Sequence, residues 1–417
     1  MNRKLTAILV GAAISGMAAP LTATPATAAS PLLGASASAY GSYVVVGGVV
    51  RSGPTALAGI SCTTSFGKSA VASSAAGDVP AGSVGATRTS ATTSTTTTGH
   101  SSRGSSTTSG VNLLKGLVHA DNVTSTSAAT RSVAGALAGS NQSQFLGLKV
   151  GGRSLNSVPA PNSAVTLRTS SGAAFATVYL NQQTKSVVGN ELRVATTALR
   201  VVITGSNPLG LPVGSRMDVG VSRATLTGPV SGLVGGFGYA TSASHPDGSA
   251  SSSRTALAGV PCTGGSGQAT LASATVPTLV ATGTATTDVL SKVTSTLRSS
   301  WARNTINAPR VLGGLISVDS VVAETSARQS SPGAVPVLAD ASRFVGLRIP
   351  GLPAISSSVR PNTVVTVPGV GKVTLHKVVR TSKSIEVVMI EIVTDRVRGN
   401  LPTGSVVRIG SSVTSLL

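Results

Sequence analysis

The chain has 417 residues, with 32 basic against 12 acidic side chains, a formal net charge of +20, 2% aromatic residues and two cysteines. Two cysteines exclude a disulfide-dense scaffold. So few aromatic rings leave little for stacking bases, and specific nucleic-acid binding is not expected. A basic balance of this size attracts polyanions such as wall teichoic acids or acidic glycans, although a merely solvated surface carries the same charge.

Residues 1–28 read as a signal peptide. Arg3 and Lys4 supply the positive start, residues 5–17 are apolar and small, and Ala26-Thr27-Ala28 is a cleavage site. The apolar run is too short for a membrane anchor, and no later stretch reaches 18 apolar residues. The expected location is extracellular or on the cell wall. Heavy use of Ala, Gly, Thr and Arg suggests a GC-rich bacterium.

Beyond the signal, the chain states one pattern twice. Thr55-Ala56-Leu57-Ala58-Gly59-Ile60-Ser61-Cys62-Thr63 returns as Thr255-Ala256-Leu257-Ala258-Gly259-Val260-Pro261-Cys262-Thr263. The segments at 114–123, 143–150, 161–167 and 211–215 return at 312–321, 342–349, 361–367 and 401–405. This period is far too long for a solenoid repeat, so it marks two whole domains, at 36–225 and 230–417. Each holds one cysteine. An intramolecular bridge in an exported protein must therefore be Cys62–Cys262, joining the two units; two buried free thiols are the alternative.

The local patterns are β-like. In chain order, residues 43–50 form a β-branched run, 191–194 alternate polar and apolar, and 199–203 are apolar. Residues 364–367, 373–379 and 385–393 read as successive strands, with turns at 368–369 and 381–384. Residues 91–110 form a Ser/Thr-rich tract. Its counterpart at 284–304 is less simple, which favours strand or strand-plus-loop over a disordered or O-glycosylated loop. Residues 287–298 are the best helix candidate, with Val289, Leu290, Val293 and Leu297, but alternation through Val293, Ser295 and Leu297 competes. Short strands between Gly, Pro and Asn turns imply an all-β chain of two tandem, homologous β-sandwich or open-barrel-like domains.

Setting the copies side by side removes candidates for chemistry. Four histidines occur, His100, His119, His245 and His376; Ser317 stands opposite His119 and Asn181 opposite His376, so surface histidines are expected. Asp121 and Asp319 align, each expected to close a turn after a strand through its own side chain. Asp218 faces Arg408 in the other copy, so no paired carboxylate recurs. Phe145 and Phe344 align inside apolar runs and are expected in the core. Asn162 and Asn362 share a Pro-Asn turn. Trp301, the sole tryptophan, has no counterpart. No CxxC, HExxH or calcium-loop pattern is present, and Gly313-Gly314 lacks the lysine of a phosphate loop, so no metal or cofactor is expected.

The segments at 114–125 and 312–320, at 145–152 and 344–351, and at 161–183 and 361–376 resemble, in that order and twice, the actinobacterial family called choice-of-anchor P. The resemblance implies an exported surface domain without established catalytic residues. Leu401-Pro402-Thr403-Gly404 falls short of a sortase signal and aligns with Leu211-Pro212-Val213-Gly214, so it reads as a turn before a strand. The expected function is non-catalytic and structural or adhesive, with basic surfaces holding anionic wall polymers. A hydrolase of wall or matrix polymers and a self-assembling surface scaffold are the alternatives.

Overall fold

The computed structural model describes residues 32–417 apart from 48, 156–157, 247–249, 253, 277–279, 332, 350–358 and 398–400; the expected signal peptide lies outside the described residues. The regular secondary structure of the described residues is all strand apart from a single 3-10 turn at Leu312–Gly314. Each half is built from facing antiparallel sheets.

In the first half, one sheet runs in the order Ser163–Arg168, Ala174–Val188, Glu191–Ile203, Arg216–Thr227, Ala35–Val46, Val49–Ser52, with Ala58–Thr63 also paired to Ala35–Val46. The second half repeats this order as Thr363–Val367, Gly371–Arg380, Ser384–Thr394, Val406–Leu416, Val234–Ser244, Ala250–Ser252, with Ala258–Gly259 beside Val234–Ser244. The facing sheet of the first half is centred on Ser69–Ser74, Thr87–Thr96, Gly99–Leu113, Val118–Ser132 and Leu137–Leu146. Its counterpart is Gly264–Leu271, Ala285–Val293, Arg298–Asn307, Ser320–Gln329 and Val337–Asp340. No sheet closes into a barrel among the described residues, and the facing sheets make each half sandwich-like, as expected.

The strands form because small and β-branched residues alternate with polar ones. Along Thr87–Thr96, Thr87, Thr89, Ala91 and Thr93 are buried while Arg88 faces solvent. One end of each sandwich is filled with apolar side chains, such as Val111, Leu113, Phe175 and Met217 in the first half and Leu271, Ile306, Leu375 and Ile409 in the second. Burying these groups drives folding. Elsewhere the interior is lined by hydroxyls, and hydrogen bonds among several of them offset the cost of their burial. Ser127 Oγ lies 2.8 Å from Thr196 Oγ1 and 3.0 Å from Ser222 Oγ. At the matching place in the second half, Thr325 Oγ1 lies 2.7 Å from Ser412 Oγ.

The duplication extends to backbone detail. Ala56 and Ala256 have φ of 47° and 46°, and Asn162 and Asn362 have φ of 59° and 61°. Asparagine tolerates this left-handed region, which most side chains avoid. Asn162 Oδ1 accepts the amide of Gln183 at 2.8 Å, and Asn362 Oδ1 accepts that of Val378 at 3.0 Å. The Pro-Asn turn is thus tied to its neighbouring strand identically in both copies. The two Leu-Pro-x-Gly segments are turns before strands, as expected: Ser215 and Ser405 donate their hydroxyls to Pro212 O and Pro402 O.

Several expectations need correction. The helix candidate at 287–298 is a hairpin, with Ala285–Val293 paired to Arg298–Asn307. Alternation wins because Thr287, Val289 and Ser291 face the opposite sheet while Leu290 and Lys292 face solvent. The single run expected at 43–50 divides into Ala35–Val46 and Val49–Ser52, and the separate stretches at 191–194 and 199–203 are one strand, Glu191–Ile203. Phe344 is buried, but Phe145 is only partly so and packs against the core from its margin. The Ser/Thr-rich tract, by contrast, has the strand structure expected of it, in the paired strands Thr87–Thr96 and Gly99–Leu113.

Candidate functional site

Two equivalent surfaces differ in chemistry between the copies: the outward faces of the sheets containing Thr87–Thr96 and Ala285–Val293. Side chains two apart on a strand share a face, so cross-strand partners form rows about 6.7 Å apart, with strands about 4.8 Å apart within each row. On the first face, one row is Ser69, Thr92, Arg103, Ala128 and Ser140. The next is Val71, Ser90, Ser105, Thr126 and Gln142, followed by Ser73, Arg88, Thr107, Thr124 and Gln144. These rows carry hydroxyls, amides and two exposed arginines, without a carboxylate. The hydroxyls touch across strands, Ser105 to Thr126 at 3.4 Å and Thr107 to Thr124 at 3.5 Å.

The second face is chemically different. Its middle row is Ser266, Leu290, Trp301, Ser326 and Ala339. By register, Trp301 stands where Arg103 stands in the first copy, and Leu290 where Thr92 does. Trp301 Nε1 donates to Glu324 Oε1 at 2.9 Å, and Arg303 lies 3.8 Å from the other oxygen of that carboxylate.

The histidines and aligned aspartates that the comparison of the copies set aside as chemistry do not gather into one cluster among the described residues. His100 packs on Phe66 with ring centroids 4.5 Å apart, and His119 Nε2 lies 3.1 Å from Asp121 Oδ1. His245 is half-buried just after the strand Val234–Ser244. Asp121 lies within the strand Val118–Ser132 rather than after it, while Asp319 lies between two strands. A Cβ on Gly147 would overlap Asp121 Oδ2, and one on Gly346 would overlap Asp319 Oδ2. Both glycines have positive φ, so each aspartate is seated on a tight turn of the neighbouring segment. Asp319 also meets Arg348 at 3.7 Å. No group of three or more metal-ligating side chains occurs among the described residues, and no described helix is long and apolar enough to cross a membrane.

His376 corrects the expectation of surface histidines. Its side chain is only 12% exposed; Nε2 lies 2.8 Å from Asp340 Oδ2, and Nδ1 donates to Val359 O at 2.8 Å. The Asp340 hydrogen bond raises the His376 pKa against the opposing effect of burial. Burial pushes Asp340 upward, but hydrogen bonds from His376 and Ser342 outweigh it and hold its carboxyl below the usual value. The first copy places Asn141 and Asn181 at these positions, and Asn181 Nδ2 donates to Pro159 O at 2.9 Å. His376 therefore makes the loop contact that Asn181 makes, and adds an ion pair.

Cys62 and Cys262, the equivalent cysteines, form a disulfide with Cα atoms 5.4 Å apart. Nearby, Thr263 Oγ1 donates to Glu191 Oε2 at 2.5 Å, a second tie between the halves. Asp218 does not stand alone either: Arg200 donates two hydrogen bonds to its carboxylate, at 2.6 and 3.1 Å. Sequence reasoning missed this pair and the His376–Asp340 pair, because each joins residues distant along the chain. Compared with family models, curated proteins and solved structures, the chain shows no match.

Proposed function

We propose that the protein is an exported, non-catalytic surface or secreted protein of the choice-of-anchor P type, which holds anionic polyhydroxyl polymers of the cell envelope. The supporting observation is the set of three rows on the outer face of the first half that hold no carboxylate, where Arg88 and Arg103 stand exposed among Ser and Thr. A guanidinium presents parallel N–H donors that match a phosphate or carboxylate. The surrounding hydroxyls both donate and accept, as a polyol backbone requires. An open sheet face suits a polymer lying across it better than a small substrate, which needs a cleft.

The positive excess is not spent internally. Asp218, Glu191, Glu324, Asp340 and Glu391 already have cationic partners, while Arg88 and Arg103 have no ion-pair partner among the described residues. A structural or adhesive role follows from a face that binds without reacting.

The test is retention on purified wall teichoic acid across a salt gradient. Exposed charge contacts are screened by salt, so release is expected as ionic strength rises. Arg88→Ala/Arg103→Ala should elute at distinctly lower salt than the parent. Retention unaffected by both salt and this double substitution would sink the reading.

A further inference from the structure

We infer that the outer face of the second half is a separate site, for flat, uncharged glycan chains of β-1,4-linked hexopyranose rings, with Trp301 as its platform. The row Ser266, Leu290, Trp301, Ser326, Ala339 holds no charge and runs across five strands, a lane on the order of 20 Å long. Leu290 is 56% exposed beside the indole. Charged or polar rows border the lane: Gln268, Asp288, Arg303 and Glu324 on one side, Lys292, Ser299 and Arg328 on the other.

This chemistry fits a pyranose ribbon. Equatorial β-1,4 linkages produce a flat chain whose ring faces expose C–H groups and whose edges carry hydroxyls. The C–H faces match an aromatic and aliphatic lane, and the edge hydroxyls match flanking rows that both donate and accept. The indole is also fixed: its N–H is held by Glu324, Arg303 braces that carboxylate, and Ser342 Oγ accepts the Glu324 amide. A fixed ring loses little freedom when a ligand stacks on it. Asp288 is likewise held, accepting from Gln268 Nε2 at 2.7 Å.

The first copy supplies the contrast. Its matching row carries Thr92 and Arg103 in place of Leu290 and Trp301, so the lane belongs to the second half alone. An anionic polymer finds no cation in the lane itself, and the borders hold both signs, Asp288 and Glu324 with Arg303, Lys292 and Arg328. Neither Arg88 nor Arg103 takes part, so this inference and the proposed function stand or fall separately.

Trp301 is the only tryptophan in the chain, so its emission reports from the site itself. The full chain is titrated with cellohexaose, chitohexaose and, as a coiled α-1,4 control, maltohexaose. A saturable change in tryptophan emission is expected with at least one of the β-1,4 oligosaccharides, and none with maltohexaose. Retention on insoluble cellulose or chitin should resist high salt and fall roughly tenfold or more in Trp301→Ala, the worth of about one stacked ring. Leu290→Lys, which puts a charge in the lane but keeps the reporter, should weaken the titration with unchanged circular dichroism. No emission change with either β-1,4 oligosaccharide, an equal change with maltohexaose, or undiminished retention of Trp301→Ala overturns the inference.

Discussion

Arg200 and Glu391 occupy the same place in the two copies with opposite charge. Arg200 is paired across the strands with Asp218, and Glu391 is paired with Arg408. The ion pair has been kept and its sign reversed. Each acid also has a second cation, Arg216 at 3.4 Å from Asp218 and Lys377 at 2.7 Å from Glu391. Burial pushes Glu391 upward, but hydrogen bonds from Lys377 and Arg408 outweigh it and hold its carboxyl below the usual range. The fold therefore demands a satisfied pair at this spot and is indifferent to which strand supplies the acid.

That indifference is testable. Arg200→Glu alone sets a second carboxylate against buried Asp218 and should destabilise the chain by on the order of 3 kcal/mol. The second copy holds Lys377, Glu391, Val406 and Arg408 where the first holds Gln182, Arg200, Arg216 and Asp218. Transplanting the whole set, Gln182→Lys, Arg200→Glu, Arg216→Val and Asp218→Arg, should return stability to within about 1 kcal/mol of the parent in chemical denaturation, because the pair is again complete. A transplant no more stable than Arg200→Glu would show that the sign matters.

The His376–Asp340 pair should make the second half sensitive to pH. His376 has its folded pKa raised above the ordinary value of about 6.5, so its contribution is fully present below that pH and is lost as pH rises through the raised value. Asp340 has its folded pKa lowered, so its contribution is present above about 3.9 and is lost as pH falls through the lowered value. The stabilising window thus runs from about pH 4 to about pH 6.5. His376→Asn keeps a donor for Val359 O, as Asn181 does for Pro159 O, but cannot carry the charge. It should lose about 1–2 kcal/mol at pH 5–6, with little loss at pH 9, as read from melting temperature against pH.

Much of the architecture was legible in the sequence, because a duplicated chain is its own comparison. The repeated Cys, Pro-Asn and Leu-Pro-x-Gly segments set the two halves, and alternation set most strands. What resisted was pairing across strands. The swap of Arg200/Asp218 for Glu391/Arg408 is invisible when Asp218 is matched only to Arg408, since its meaning lies in the register. Leu290 and Trp301 looked helical or isolated because a hairpin, not the local sequence, makes them neighbours. Phe145 stands at the edge of the core although its run is as apolar as that of Phe344, because tertiary position decides burial.

The two glycines under the aligned aspartates should behave alike. Gly147 and Gly346 have φ of 64° and 63°, and a side chain on either meets an aspartate carboxylate. Gly147→Ala and Gly346→Ala should each cost about 1–3 kcal/mol from the left-handed backbone and the displaced carboxylate. Gly210 has a similar φ of 66°, but a Cβ there meets no atom within 4 Å. Gly210→Ala should therefore cost less than either, and equal losses at all three positions would leave no role for the aspartate contacts.

The Cys62–Cys262 bridge closes the longest covalent loop the repeat allows, with partners 200 residues apart. In the chain-entropy account, closing a loop of this length removes roughly 5 kcal/mol of unfolded-state freedom. Non-reducing peptide mapping should recover the segments around Cys62 and Cys262 as one linked species. Cys62→Ser/Cys262→Ser should lower stability by up to that amount. The loss should fall mainly on the association of the halves, because each keeps its own facing sheets and apolar cluster. The Thr263–Glu191 hydrogen bond, the packing of Tyr43 and Val45 against the second core, and the approach of Val234–Ser244 to Ala58–Thr63 then remain beside the severed bridge. Calorimetry of the variant is expected to separate one transition into two. A single transition at the parent's temperature would show that packing alone couples the copies.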